Sequence, residues 1–388
     1  METQIAYIDN EVALQHTVKH LLQQKSIYID LEFDKNHFRY GFNLCLIQIY
    51  DGETCFLIDP LPDLDISPLF EVINHREIEL VCFAFNEDMR LLHHIGAQPK
   101  NIYDLSVATR LLNAEPLSLN NTLALFLNDE RYIEHKKSQQ KSNWFQRPLS
   151  DQQKHYAAED VLYLPLLEQK LKKELQKMQK SEWMAEEMEF FENYDWKKGA
   201  TASFLTHKDR KELTMREWIR FKELMVKREQ LAESINRPTY KVVDKNIMIE
   251  LAKSPKKIEN WTNIKRVHPK FRTPQIQAQL QAQITQAEKK IREENIPENQ
   301  PSKKRLSQAE KEIKSELRKT IQRNKDAFFL PIKEELKISE GENLTNYLLS
   351  NRRITEIISG DLKLLPYQLD LVINAAKKLG LSIPKFLI

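Results

Sequence analysis

Glycine is scarce in this sequence, with seven in 388 residues. That leaves little room for a glycine-rich phosphate loop, and neither a Walker nor a dinucleotide-binding fingerprint is present. Cysteine is scarcer still. The three thiols, Cys45, Cys55 and Cys82, lie in apolar stretches and are too few for a disulfide framework. They read as small core residues of a chain in a reducing compartment. No apolar run approaches the roughly 18 residues that cross a bilayer. The opening "METQIAYIDNEVALQH" has neither the basic flank nor the apolar stretch of a signal peptide. The expectation is a cytoplasmic, monomeric protein with no membrane partner.

Charge is present in quantity and unevenly placed. Residues 1–175 carry 17 Lys and Arg against 26 Asp and Glu, a net of −9. The remainder carries 42 against 30, a net of +12, so the modest total of +3 hides an acidic half joined to a basic one. Most single charges are solvated faces. A basic half also suits contact with a polyanion, nucleic acid above all.

The length predicts two or three domains. "SIYIDLEF", "LCLIQIY" and "TCFLID" predict three adjacent strands, partly antiparallel, with Asp51-Gly52 in a turn. "EVALQHTVKHLLQQ" predicts an amphipathic helix with Val12, Val18, Leu21 and Leu22 on one face. From residue 68 onward helix and strand mix. "IELVCFAF" reads as a strand, "NEDMRLLHHIG" as a helix stopped at Gly96, and "NIYDLSVATRLLN" as a short strand and a helix. "SDQQKHYAAEDVLYLPLLEQKLKKELQKMQ" reads as one long helix, with Ser150 and Gln153 as its capping box. Strands first and alternation after predict an α/β domain with a mixed central sheet. Beyond about 180 the pattern is helical. "KKIREENIPENQPSKK", residues 289–304, is charged, holds two prolines and reads as a linker.

Three places could carry chemistry. Asp30 and Glu32 stand two apart on an apolar strand, so their carboxylates share a face. They would raise each other's pKa unless a cation met them, and hard oxygen ligands suit Mg²⁺ or Mn²⁺. The same pattern also describes a strand end with solvated acids. Asp88 falls where a strand gives way to a helix, where an acid is favoured by the helix dipole alone. Tyr156 and Asp160 are four apart on a helix, next to small Ala157 and Ala158 that allow close packing. A polar helix edge with a packed tyrosine would look alike.

Taken in order, an Asp-x-Glu strand, an Asp about 56 residues on and a Tyr-x-x-x-Asp helix about 70 later resemble the three exonuclease motifs of the DEDD superfamily, tyrosine branch. The match is to the ribonuclease D family. "DLEF", "LCLIQIYDG", "LIDPL", "KKSQQKSNWFQRPLSDQQKHYAAEDVLYLP" and "MREWIRFKELMVKREQLAESINRP…HPKFR" follow that family's order. The resemblance covers residues 3–175 well and about 195–290 less closely. It departs at Leu31, where the family usually has Thr, and at Phe83 and Phe85, where a His and a Gly are common.

The resemblance implies an α/β ribonuclease H-like exonuclease domain with a mixed central sheet, followed by all-α HRDC-type (helicase-and-RNase-D C-terminal) helical domains. The implied boundaries are 1–178 for the exonuclease domain, 179–205 for a linker helix and 206–290 for a first HRDC-type domain. A charged linker, 291–304, then leads to a second, divergent HRDC-like domain, 305–388. The implied metal ligands are Asp30, Glu32, Asp88 and Asp160. They would hold two divalent ions, Mg²⁺ or Mn²⁺, about 4 Å apart, with Asp88 acting through water or the outer shell. Tyr156, a poor base at its ordinary pKa of about 10, would orient the attacking water. The implied reaction is removal of nucleoside 5′-monophosphates from RNA 3′ ends, transfer-RNA precursors among them. Lys141, Trp144 and Arg147 read either as substrate contacts or as a loop packed on itself. Two other readings stay open: a 3′–5′ exonuclease acting on DNA, and a non-catalytic RNA-binding protein.

Overall fold

The computed structural model describes residues 4–133, 139–196, 205–299 and 307–387. Lys136 and Lys137 of the motif-bearing loop, 197–204 of the expected linker helix, and 300–306, which hold the end of the expected charged linker, lie outside the described residues.

Six strands form one sheet: β1 (Gln4–Ile8), β2 (Ser26–Lys35), β3 (Phe42–Tyr50), β4 (Thr54–Ile58), β5 (Glu79–Cys82) and β6 (Ile102–Asp104). Their order is β1-β4-β3-β2-β5-β6. β3 and β4 are antiparallel across the Asp51–Gly52 turn, where Gly52 takes φ 103°. β1 runs parallel to β4, and β5 runs parallel to both β2 and β6. The sheet is mixed, as expected. β1 is an addition: five residues at the edge carry too little pattern to be read as a strand beforehand.

Two helices differ from expectation. In Glu11–Leu21 the buried residues are Leu14, Thr17, Val18 and Leu21, while Val12 is 69% exposed. Val12 and Val18 are six residues apart, or about 240° around a helix, so they cannot share a face. The expected long helix is two, Asp151–Leu162 and Leu164–Lys177, separated at Tyr163. Pro165 explains the break, because it has no N–H to donate back into the preceding turn.

The chain divides into two compact units. The first holds residues 1–32, 45–197 and 308–388. The C-terminal helices, expected as a separate domain, are therefore part of the same unit as the exonuclease-like sheet. Their docking is polar and specific. Glu187, 6% exposed on the helix Ser181–Asn193, accepts hydrogen bonds from the hydroxyls of Tyr347 and Tyr367 and from Gln368 Nε2. Lys180 Nζ reaches both the Leu111 carbonyl and Glu340 Oε2 at 3.0 Å.

The second unit holds residues 33–44 and 198–307. Helices Met215–Glu233, Lys245–Lys253 and Pro274–Glu293 enclose Phe221, Met225, Met248, Trp261 and Leu280. Within this unit Tyr240 donates to the His37 carbonyl, and the Tyr40 N–H donates to Asn236 Oδ1. The expected linker at 291–304 begins as structure: Ile291 and Ile296 are buried with Ile219 and Ala287. Two isoleucines separated by a turn (Asn295, φ 48°) make a stripe too short to see in a charged run.

Candidate active site

β2 carries the first two acids. Its buried face is apolar, with Ile27, Ile29 and Leu31 all at 4% exposure or less. Asp30 and Glu32 alternate onto the other face and are half-buried. The helix Asp151–Leu162 brings the third. Its capping box is formed, with Ser150 and Gln153 each bonded to the other's backbone, and Ala157 and Ala158 are fully buried. One oxygen each from Asp30, Glu32 and Asp160 lies within 4.8 Å of the others.

Asp88 stands in the first turn of the helix Asn86–Ile95, is 7% exposed, and its Oδ1 has no hydrogen-bond partner. It lies outside the 4.8 Å cluster, yet its charge reaches Asp30. Burial pushes the Asp30 carboxyl well above the usual carboxylate range, and Asp88, Asp160 and Glu32 push it further. Burial also pushes Asp88 up to about 7, against its own backbone hydrogen bond and with help from Asp104 and Glu87. Four acids held together, one with an orphaned buried oxygen, are a donor set that fits a hard divalent cation.

Tyr156 lies one turn before Asp160. Burial raises its hydroxyl far above the ordinary tyrosine value, and Asp160, Glu32 and Asp30 raise it more. It is therefore a protonated donor at neutral pH, aligned by its environment against acting as a base.

Other candidates serve packing. Arg147 spends all five of its N–H groups: two on Asp59, and the rest on the carbonyls of Trp144, Gln146 and Cys45. Asp59, 1% exposed, also accepts from Tyr7 and Leu61. Arg147 is thus a latch for the loop ahead of the Tyr156 helix, not a substrate contact. Trp144 is 4% exposed, its ring centroid 6.0 Å from that of Tyr156, so it offers no open face to a base. Lys141 is exposed. Phe85 is fully buried at the start of the Asp88 helix, and Phe83 is half-buried.

One residue escaped the sequence reading. Asp104, 0% exposed, caps the helix Leu105–Leu111 through Ser106 N–H and also accepts from the N–H groups of Ala84 and Phe85. It holds Ala84 at φ 58° and so sets where the Asp88 helix begins. An Asp before a helix signals a cap. Its second grip, on residues about 20 positions earlier, leaves no local signal.

Residues 5–176 match the family model described as 3′–5′ exonuclease. Ribonuclease D of Zymomonas mobilis is 34% identical over 188 residues, 47% of this chain and 46% of that protein. Ribonuclease D of Sphingobium indicum is 26% identical over 285 residues, 71% of each. Residues 5–176 are thus similar to 3′–5′ exonuclease domains, and the chain is similar to ribonuclease D proteins. Its matched part spans about half the length of the first of these relatives. The fold is also similar to that of the crystal structure of Escherichia coli RNase D, described as an exoribonuclease involved in structured RNA processing, with a TM-score of 0.67 at 19% identity, over 97% of this chain and 99% of that one. The catalytic core of RRP6 from Trypanosoma brucei gives 0.60 at 20% identity, over 74% and 81%. Among the described residues no helix is long and apolar enough to cross a membrane.

The acid cluster predicts a pH effect in metal-free protein. Asp88 titrates near 3.8 when unfolded and about 7 when folded. Below 3.8 it is protonated in both states. Between these values the unfolded chain ionises first, so stability falls as pH rises through the window. Melting in EDTA is expected to be lower at pH 8 than at pH 5, and added Mg²⁺ or Mn²⁺ is expected to restore it at pH 8. Identical melting with and without the cation at pH 8 would contradict the reading of the cluster as a cation site.

Proposed function

We propose that this protein is a divalent-metal-dependent 3′–5′ exoribonuclease that releases nucleoside 5′-monophosphates from structured RNA, transfer-RNA precursors included. The observation that carries this is the meeting of Asp30, Glu32 and Asp160, with Asp88 buried and its Oδ1 without a hydrogen-bond partner. These four residues would hold two ions, Mg²⁺ or Mn²⁺. When bound, such ions neutralise the acids, activate a water and stabilise a leaving 3′ oxygen.

The chain's own residues do the rest. Asp30, Glu32 and Asp160 supply a fixed carboxylate array on a sheet and a helix rather than on loops, which holds it rigid. Asp88 contributes through a water or the outer shell, since it lies apart from the three-acid cluster. Tyr156, kept protonated, donates its hydroxyl hydrogen bond and orients the attacking water. An acidic site repels phosphate, so affinity comes from elsewhere. The excess of basic residues beyond 175 supports sequence-independent contact with the RNA backbone, by the 206–290 domain in particular.

The direct test is digestion of a 3′-extended structured RNA. Stepwise shortening from the 3′ end is expected with Mg²⁺ or Mn²⁺ and none in EDTA. Internal cleavage products, or an absence of mononucleotides, would refute the proposal. Tyr156→Phe is expected to lower turnover by roughly a hundredfold or more, the scale of losing one preorganised hydrogen bond in a transition state, with little change in RNA affinity. An unchanged turnover would leave Tyr156 a packing residue.

A further inference from the structure

On the first unit, a cleft enclosing about 820 Å³ of space, open solvent included, gathers positive charge and aromatic rings. Arg90 comes from the helix that carries Asp88, Arg110 from the end of the helix Leu105–Leu111, Arg353 from the helix Asn351–Ile358, and Lys363 from the loop that follows it. We propose that this cleft binds a nucleoside 5′-phosphate unit, with the phosphate among Arg90, Arg110 and Lys363 and the base against Phe190 and Tyr194.

Charge is the first support. The one carboxylate in the lining, Glu187, is already engaged by Tyr347, Tyr367 and Gln368. The Arg110 side chain makes no hydrogen bond among the described residues; its guanidinium lies over the Tyr347 ring, 5.4 Å from the centroid. Arg90 has a buried Nε with no hydrogen-bond partner, and its nearest carboxylate, Glu87, is 3.5 Å away. Arg353 uses Nε on the Leu348 carbonyl and one amino group on Gln368, which leaves donors to spare. Planar guanidiniums with unspent N–H groups match phosphate oxygens.

The second support is independent of charge. Phe190 and Tyr194 are 46% and 40% exposed, four residues apart, with ring centroids 6.2 Å from each other. Large aromatics left this open beside cations are what stacks a base. A bare anion would need no open rings, and an apolar peptide would gain nothing from four cations. The shared chemistry fits either a free mononucleotide or one link of a single-stranded RNA. Asn86 and Arg90 flank Asp88 on one helix, so an occupant would bear directly on the helix that positions an active-site acid.

Binding here needs neither metal nor catalysis, so it is tested apart from the exonuclease reading. The full-length protein in EDTA is titrated calorimetrically with 5′-AMP and, separately, with a short oligoadenylate. The same titrations use Phe190→Ala/Tyr194→Ala, whose exposed positions keep the fold, and Arg110→Gln/Lys363→Gln, with melting curves as the fold check. At least tenfold weaker binding of one or both ligands is expected in each variant. A loss for 5′-AMP identifies the free nucleotide as occupant, and a loss confined to the oligonucleotide identifies an RNA strand. Unchanged affinity for both ligands in the aromatic variant overturns the proposal. So does inorganic phosphate displacing 5′-AMP at equal concentration, because a base-stacking site must prefer the nucleoside.

Discussion

Asp30→Asn is expected to abolish exonuclease activity and, in EDTA, to make the protein more stable. Both effects have one cause. Asp30 is held among Asp88, Asp160 and Glu32, all of which oppose its ionisation, and burial opposes it more. Removing its charge removes that repulsion, so the metal-free melting temperature should rise, by about 2–4 °C for each kcal/mol recovered in a unit of this size. Asn retains the shape but is a neutral and weaker ligand. Activity should therefore fall roughly a thousandfold or more, the scale of removing one preorganised charge-stabilising group from an active site. Calorimetric melting with and without Mn²⁺, beside release of mononucleotides, reads both quantities. A variant that keeps full turnover would remove Asp30 from the chemistry. A variant that melts lower in EDTA would show that the carboxylate is satisfied without a cation. Holding like charges together in this way costs stability, a trade that is common at functional sites.

Gly341→Ala is expected to loosen the C-terminal helices from the first unit. Gly341 adopts φ 94° and ψ 161°, backbone that is essentially reserved for glycine. A Cβ built there would stand 2.0 Å from Asn113 Nδ2 and 2.2 Å from its Cγ. Asn113 cannot swing its side chain away without cost, because its Oδ1 accepts the Leu344 N–H. Strain of about 1–3 kcal/mol and a broken, partly buried hydrogen bond of about 1–3 kcal/mol together put the expected cost at about 2–6 kcal/mol. The measurements are thermal unfolding and limited proteolysis, with cleavage in 308–388 appearing at temperatures where the parent chain resists. Asn113→Ala should lose only the side-chain bond to the Leu344 N–H, without the strain, and fall in between. Equal resistance in Gly341→Ala and the parent would mean that this contact does not hold the helices in place.

The acids of the site were readable because strand and helix periodicity act over two to four residues. Asp30 and Glu32 share a face for the same reason in any β-strand, and Tyr156 and Asp160 do so in any helix. Ser150 with Gln153, and Gly96 at φ 106°, are local in the same way, and each appears where the residue types place it. Val12 lies off the buried face because six residues carry a helix through about 240°, and the helix breaks at Tyr163 because Pro165 has no N–H to donate.

Tertiary structure decided what no local rule reaches. Arg147 is as good a phosphate ligand as any arginine until Asp59, 88 positions earlier, takes its guanidinium. Trp144 is as good a stacking ring until it is buried beside Tyr156. Residues 308–388 look like one more helical domain until Glu187 and Asn113 bind them to the first unit. In sequence these partners have no period and no fixed spacing. Their affinity for one another comes from burial and charge compensation, which exist only once the surfaces have met. By itself the sequence determined which side chains could hold a cation. The folded chain decided that Asp30, Glu32 and Asp160 meet, that Asp88 is buried with one oxygen left without a partner, and that Arg147 and Trp144 are occupied with packing the loop before the Tyr156 helix.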